Sequence, residues 1–368
     1  MIRTDAAPGF QSLGQATARA IVERAAAGGR LQRTLLVHGP AAAGKEAFVD
    51  DLLALAFCTD PDVARRPCNA CRGCADARAR THPDLVVGSP DAWREARSTG
   101  ESIVAAARRW LLDTAGAPIA GERRVVLIER VDQANEQTQN ALLKALEEPT
   151  ARHMFILVAD EPSRLLPTIR SRCQPLRVGP VPRDELVAWL VDRERLPADQ
   201  ADVLAALAGG LTGAAVEFVR RPELLSWRRR IQAELVELLG RGSAERFAAV
   251  RELLDETTRA GLATSPRNEP PPEPGDARVA TAVQRGAALQ ITEAWLDLAR
   301  DMIVAAAGRP ELAPAAAIIP QLPEVAVGIG VDRLMVAARR LERVHAGLLD
   351  NAAPRLALEA AMLAWPST

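Results

Sequence analysis

The sequence predicts an α/β fold: a parallel sheet with helices on both faces, followed by an all-helical second half. Three observations carry this. Short unbroken apolar runs at 34–38, 124–128 and 154–159 suit strands buried on both sides rather than strands with one wet face. Apolar residues at helical spacing fill the stretches between them. Beyond Val181 the strand signal fades, and helical periodicity alone continues towards the C-terminus.

Taken in order, Thr34-Leu35-Leu36-Val37-His38 reads as a strand that ends in a glycine-rich turn, and 45–57 as the helix that follows. Residues 124–128 form a second strand. Residues 133–147 place Ala134, Ala141, Leu142 and Leu146 at helical spacing and stop before Pro149. Residues 154–159 form a third strand. Pro182-Arg183-Asp184-Glu185 opens a helix, 184–220 reads as a small helical unit, and 223–260 continues as long amphipathic helices with Leu235, Leu238 and Leu239. Five prolines between Pro266 and Pro274 exclude helix and central strand there, so 263–278 reads as a loop within a helical domain. Helix resumes over 279–308 and 331–363.

A length of 368 residues suggests two or three domains. With 48% apolar and 25% charged residues, the chain belongs with ordinary globular proteins and not with disordered or collagen-like ones. No apolar run approaches the ~18 residues of a membrane span. Residues 1–10 hold no signal-peptide core, and a cytoplasmic location is expected. The net charge of −1 argues against autonomous nucleic-acid binding, and six Trp, six Phe and no Tyr leave little for base stacking. The densest basic run, Arg228-Arg229-Arg230, reads as the solvated face of a helix. Of 46 basic residues only Lys45 and Lys144 are lysines, and both fall inside motifs.

The first motif is Gly39-Pro40-Ala41-Ala42-Ala43-Gly44-Lys45-Glu46, placed between a strand and a helix. Gly, four residues, then Gly-Lys is the layout of a phosphate loop. Its glycines let backbone N–H groups face a phosphate, the helix N-terminus adds positive potential, and the lysine reaches the outer phosphates. The next position ordinarily holds the Ser or Thr that binds magnesium, and here it is Glu46. The second motif is the strand Val125-Val126-Leu127-Ile128 followed by Glu129-Arg130. A phosphate-loop ATPase needs Asp for magnesium and then Glu to activate water. Arg130 never loses its proton at working pH and cannot serve as that base.

Four of the five cysteines cluster as Cys58, Cys68, Cys71 and Cys74, within 17 residues. In a reducing compartment such a cluster points to tetrahedral zinc. Four sulfur ligands leave no position open for water, so the site is structural. His82 lies eight residues further on as a competing ligand, though Thr81-His82-Pro83-Asp84 reads more simply as a capping or surface histidine. Cys173 reads as a buried thiol. In Thr168-Ile169-Arg170-Ser171-Arg172-Cys173 two arginines flank a serine at the end of a helix. They are either solvated charges or a guanidinium offered to a neighbour's nucleotide, and the pattern by itself leaves both readings open.

In combination these motifs resemble bacterial clamp-loader subunits of the AAA+ family. The resemblance covers about residues 10–220: Gly39–Lys45, the four-cysteine module, His82-Pro83-Asp84, Asn140-Ala141-Leu142-Leu143-Lys144-Ala145-Leu146-Glu147-Glu148-Pro149 and Thr168–Cys173. It implies an AAA+ core at 1–178 with an inserted zinc module at 58–76, a small helical lid at 179–222, and a helical collar for oligomerisation at 223–368.

Within that family the chain looks like the delta-prime branch rather than the ATP-hydrolysing gamma/tau motor, which stands as the alternative. Glu46 and Glu129-Arg130 depart from the motor pattern. Ala159 stands where a polar residue senses the γ-phosphate, and Gly213 where a lid arginine does the same. Ser171-Arg172-Cys173 is intact. The resemblance thus implies a non-hydrolysing stator of the DNA polymerase III holoenzyme. Gly39, Gly44 and Lys45 would be a vestigial nucleotide site with no productive ATP–magnesium chemistry, and Arg172, with Arg170 second, an arginine finger supplied in trans. It also implies gamma/tau and delta subunits as partners in a five-subunit ring that loads a sliding clamp onto primed DNA.

Overall fold

The computed structural model describes residues 7–98, 100–147, 152–259 and 277–366. The chain forms two compact units, Met1–Val216 and Glu217–Thr368.

The first unit is built on five parallel strands: β1 (Thr34–His38), β2 (Leu85–Gly88), β3 (Arg124–Ile128), β4 (His153–Ala159) and β5 (Gln174–Arg177), in the spatial order β2-β3-β4-β1-β5. Its helices are α1 (Ala16–Ala27), α2 (Lys45–Phe57), α3 (Arg72–Arg78), α4 (Pro90–Glu95), α5 (Ile103–Thr114), α6 (Glu136–Glu147), α7 (Pro167–Arg170), α8 (Arg183–Arg193), α9 (Ala198–Leu207) and α10 (Thr212–Arg220). The boundary between the units falls within α10.

Alternation along the strands explains their unbroken apolar character. Leu35, Val37, Val125, Leu127, Met154 and Ile156 enter one buried core with Phe48, Leu52 and Leu53 of α2. Leu36, Val126, Ile128, Phe155 and Leu157 enter another with Ala106, Ala107, Leu142 and Ile169. Both faces are covered, so the interior positions of β1, β3 and β4, from Leu35 to Val37, Val125 to Ile128 and Met154 to Ala159, are all apolar. This is the α/β class the sequence predicts. Two strands lay outside that reading. β2 and β5 are the edge strands, four residues each. Pro175, which has no N–H to donate, is tolerated within β5 because that strand pairs on one side only, with β1. Because all five strands run parallel, the ends of β1, β3 and β4 open onto one edge, and the motif residues of 39–45, 129–130 and 159–160 lie there.

The second unit is helical: α11 (Pro222–Glu237), α12 (Ser243–Arg259), α13 (Ala277–Ala306), α14 (Leu322–Ile329), α15 (Val331–Leu349) and α16 (Pro354–Ala364). The helices expected over 223–260 are α11 and α12, separated by a short 3-10 turn, Leu238–Gly240, and the helix expected over 331–363 divides at Asn351. The 30-residue α13 is central. Its Ile291, Ala294, Trp295, Leu298 and Met302 recur at helical spacing and are buried. Arg246 is buried in this unit. Its guanidinium donates to the carbonyls of Leu238, Leu239, Arg241, Met362, Trp365 and Pro366 at 2.8–3.2 Å. It thereby gathers the C-terminal ends of α11 and α16, whose dipoles favour a cation. Of the proline-rich segment, 263–276 lie outside the described residues, and 277–278 open α13.

Candidate nucleotide and metal sites

The loop after β1 has the backbone of a phosphate cradle. Gly39 has φ +152, and a Cβ there would lie 1.8 Å from the Val178 carbonyl oxygen. Gly44, the N-cap of α2, has φ +90. Both positions require glycine. Yet the cradle is filled by the chain itself. Lys45 is buried. Its Nζ donates to Gly39 O at 2.8 Å and Pro40 O at 2.6 Å, and pairs with Asp160 Oδ1 at 2.6 Å. An ammonium has three donors, and these three oxygens account for all of them. Helix α10 closes the loop from the other side. Thr212 Oγ1 donates to Ala43 O at 3.1 Å, and Gly213 N–H donates to Ala42 O at 2.8 Å. A Cβ on Gly213 would meet Ala42 O at 2.7 Å, so the position assigned to a lid arginine is too close to the loop for any side chain. Glu46 is exposed in the first turn of α2.

The end of β3 is equally committed. Glu129 Oε1 pairs with Arg80 Nη1 at 2.5 Å, and Arg80 Nε reaches Asp50 Oδ1 at 3.0 Å. Burial pushes the Asp50 carboxyl up, and Arg80 pulls it back only in part. Arg130 adopts φ 49 and pairs with Asp91 Oδ2 at 2.7 Å. Asp132 accepts the N–H groups of Asp160 and Glu161 at 3.1 and 2.9 Å and so fixes the turn that aims Asp160 at Lys45. Burial raises the Asp132 pKa, the Glu161 N–H opposes the rise, and the Asp160 charge adds to it. The pKa of His38, at the end of β1, is pushed down by burial and then by Arg177 and Lys45.

The four predicted cysteines converge. Cys58 follows α2, Cys71 is the N-cap of α3 and Cys74 lies in its first turn. Their sulfurs all lie within 4.8 Å of one another, and Cys58 and Cys71 are 4.0 Å apart. Tetrahedral zinc at ~2.3 Å per bond needs sulfurs roughly 3.8 Å apart, so the donor set fits. Backbone N–H groups of Cys68, Cys71 and Cys74 donate to Cys58, Cys68 and Cys71 sulfurs respectively, each at 3.4 Å, as suits thiolates. Burial pushes the Cys58 and Cys74 thiols up. Burial also acts upward on Cys71, but hydrogen bonds from Thr59 and Cys74 outweigh it and bring that thiol down to about 6. His82 is outside the cluster. Its ring stacks on Phe57 at 3.7 Å, and its Nδ1 accepts the Asp84 N–H at 3.1 Å.

Beneath the module, Asp51 is fully buried. It accepts N–H groups from Gln11 and Ser12 and pairs with Arg78 at 2.7 Å. Asn69 in turn accepts from Arg78 and donates to the carbonyls of Ala7 and Gly9. These bonds tie α2, α3 and the N-terminal segment together.

Arg170 and Arg172 are both exposed. Arg172 Nη2 lies 2.7 Å from Glu147 Oε1, and Nη1 donates to Thr168 O at 2.9 Å. Asp160, Thr212 and Glu147 were not read as site residues from the sequence. Asp160 had one available signal: it directly follows Ala159, at the end of a strand beside the loop.

Among known proteins, a family described as DNA polymerase III, delta subunit, matches residues 14–182. The chain is similar to the DNA polymerase III delta-prime subunit of Pseudomonas aeruginosa, 36% identical over 189 residues, which are 50% of this chain and 55% of that one. It resembles the Bacillus subtilis delta-prime subunit at 30% over 227 residues, 61% of this chain and 64% of that one. A Salmonella typhimurium tau subunit is 31% identical over 145 residues, 39% of this chain and 21% of that one. The chain thus spans 55–64% of the length of the two delta-prime relatives. Over residues 14–182, which carry the loop, the cysteine cluster and the Ser-Arg-Cys turn, the chain is therefore similar to subunits of the DNA polymerase III delta and delta-prime kind.

Proposed function

We propose that the chain is a non-hydrolysing clamp-loader subunit that helps place a sliding clamp on primed DNA. Within a ring of gamma/tau and delta subunits it would supply Arg172 to the ATP site next door. One observation supports this most: the phosphate-loop lysine is wholly engaged by oxygens of its own chain. A nucleotide must displace Asp160 and two carbonyls before it meets the ammonium. Arg130, paired with Asp91, replaces the water-activating carboxylate, so a nucleotide that did enter would not be cleaved.

Arg172 is exposed on a turn whose flanking Ile169 and Cys173 are buried. A guanidinium held this way can stabilise charge on a neighbour's γ-phosphoryl group. Cys58, Cys68, Cys71 and Cys74 would hold one zinc ion, which supplies a structural cross-link between the end of α2 and α3. The competing reading, a gamma/tau-type motor, draws on the retained Gly39, Gly44 and Lys45 and on the similarity to tau.

Titration of the isolated chain with magnesium–ATP, together with steady-state turnover, separates the two readings. The stator reading expects neither tight binding nor turnover, and the motor reading expects both.

A further inference from the structure

We propose that Glu147 is a positioning residue for Arg172, holding the guanidinium on its own subunit until a polyphosphate at the neighbouring site replaces the carboxylate. This rests on the reading of Arg172 as a trans-acting finger. The backbone around Arg172 is fixed. Its N–H donates to Ile169 O at 3.1 Å, the Cys173 N–H donates to Arg170 O at 3.4 Å, and Ile169 and Cys173 are buried. Only the side chain beyond Cβ is free to move, and among the described residues two contacts set it: Thr168 O on Nη1 and Glu147 Oε1 on Nη2.

Glu147 is the last described residue of α6, and Pro149 two positions on stops a helix. A carboxylate there faces the negative end of the helix dipole, which is the unfavourable sign. The helix gains nothing from this charge, whereas Arg172 does. The pair is partly exposed, with side-chain accessibilities of 35% and 44%. An exposed pair of this kind biases a rotamer by about 1.4- to 5-fold. That is weak enough for a γ-phosphate, with more charge and three oxygens, to take over the same N–H donors. It is strong enough to keep the guanidinium withdrawn when no phosphate is presented. The exchange swaps one hydrogen-bond acceptor for another and involves no covalent step.

The test is ATP turnover by the loader reconstituted with gamma/tau and delta partners, in the absence of clamp and DNA. It compares the wild type, Glu147→Gln, Arg172→Ala and the double variant. The expected results are a rise of about 1.4- to 5-fold for Glu147→Gln, a fall for Arg172→Ala, and a double variant that matches Arg172→Ala. Glu147→Ala serves as a second variant with the same expectation, and the melting temperature of each isolated chain should be unchanged or slightly raised. If Arg172→Ala lowers turnover while both Glu147 variants stay at or below wild type, the positioning role is wrong and the finger stands. A rise that persists in the Arg172→Ala background also overturns it. If Arg172→Ala changes nothing, the finger reading itself fails.

Discussion

Asp160 reaches across the mouth of the phosphate loop to Lys45, with Oδ1 2.6 Å from Nζ. In a phosphate loop the lysine reaches the outer phosphates, and in this chain the same ammonium is paired with Asp160. The contact is not accidental to the turn, because Asp132 pins the Asp160 backbone from below. A loop of glycines and a helix N-terminus shaped for phosphate is thereby satisfied without one.

Replacing Asp160 with Asn should release the ammonium from its charged partner while leaving the turn intact. Asp160 is 41% exposed, so the gain is limited. Binding of a fluorescent ATP analogue is expected to tighten by up to about fivefold. Hydrolysis should stay absent, because Glu129 and Arg130 are engaged elsewhere. Turnover by this variant would show that the β3 end is not what disables the chain.

Zinc content should be one ion per chain by mass spectrometry, and Cys74→Ser or a strong chelator should remove it. Loss of the metal leaves four facing sulfurs and loosens the link between α2 and α3, so the melting temperature should fall by several degrees. Protons compete with the metal for thiolates. Retention should therefore weaken as pH drops, most steeply below the ordinary thiol range, and recover as pH rises. A fold and melting temperature indifferent to chelation would contradict this.

Cys173 offers a cleaner pH effect. Burial pushes its thiol up to about 12 from an ordinary 9.0. A group raised in the folded state adds stability fully present below the unfolded value, and that stability is lost as pH climbs through the folded one. Denaturant midpoints should thus decline between about pH 9 and 12, and Cys173→Ala should show a shallower decline. The chain has no tyrosine and two lysines, and the Cys58 and Cys74 thiols, also raised by burial, contribute equally to wild type and variant, so the difference between the two reports Cys173. At neutral pH the buried thiol should react with a disulfide reagent more than about 10³-fold slower than a free cysteine.

Arg246→Met should be among the most damaging single changes in the helical unit. It leaves six carbonyls, all but that of Arg241 in buried contacts, without their shared donor. A loss of about 3 kcal/mol or more is expected from chemical denaturation. Arg246→Lys should recover only part of it, because an ammonium has three donors where the guanidinium has five.

The sequence made the sheet legible where strands are buried on both faces, at 34–38, 124–128 and 154–159. It concealed β2 and β5, because a four-residue edge strand is too short for a period and Pro175 argues against a strand until its edge position is known. The cysteine cluster was legible because metal ligation needs fixed residue types at close spacing. The state of the phosphate loop was not. Gly39, Gly44 and Lys45 spell a cradle, while what fills it comes from Asp160, Thr212 and Gly213, which only folding brings to it. Glu147 was hidden likewise, since its meaning lies in a partner on another element.

The most direct test of the central claim is ATP turnover at the site adjoining this subunit, measured in the reconstituted loader with wild-type chain and with Arg172→Ala. The expected result is a fall of about 10³-fold or more at that site, as for a lost arginine finger, with ring assembly unchanged. Turnover equal to wild type in a fully assembled Arg172→Ala ring would contradict the claim.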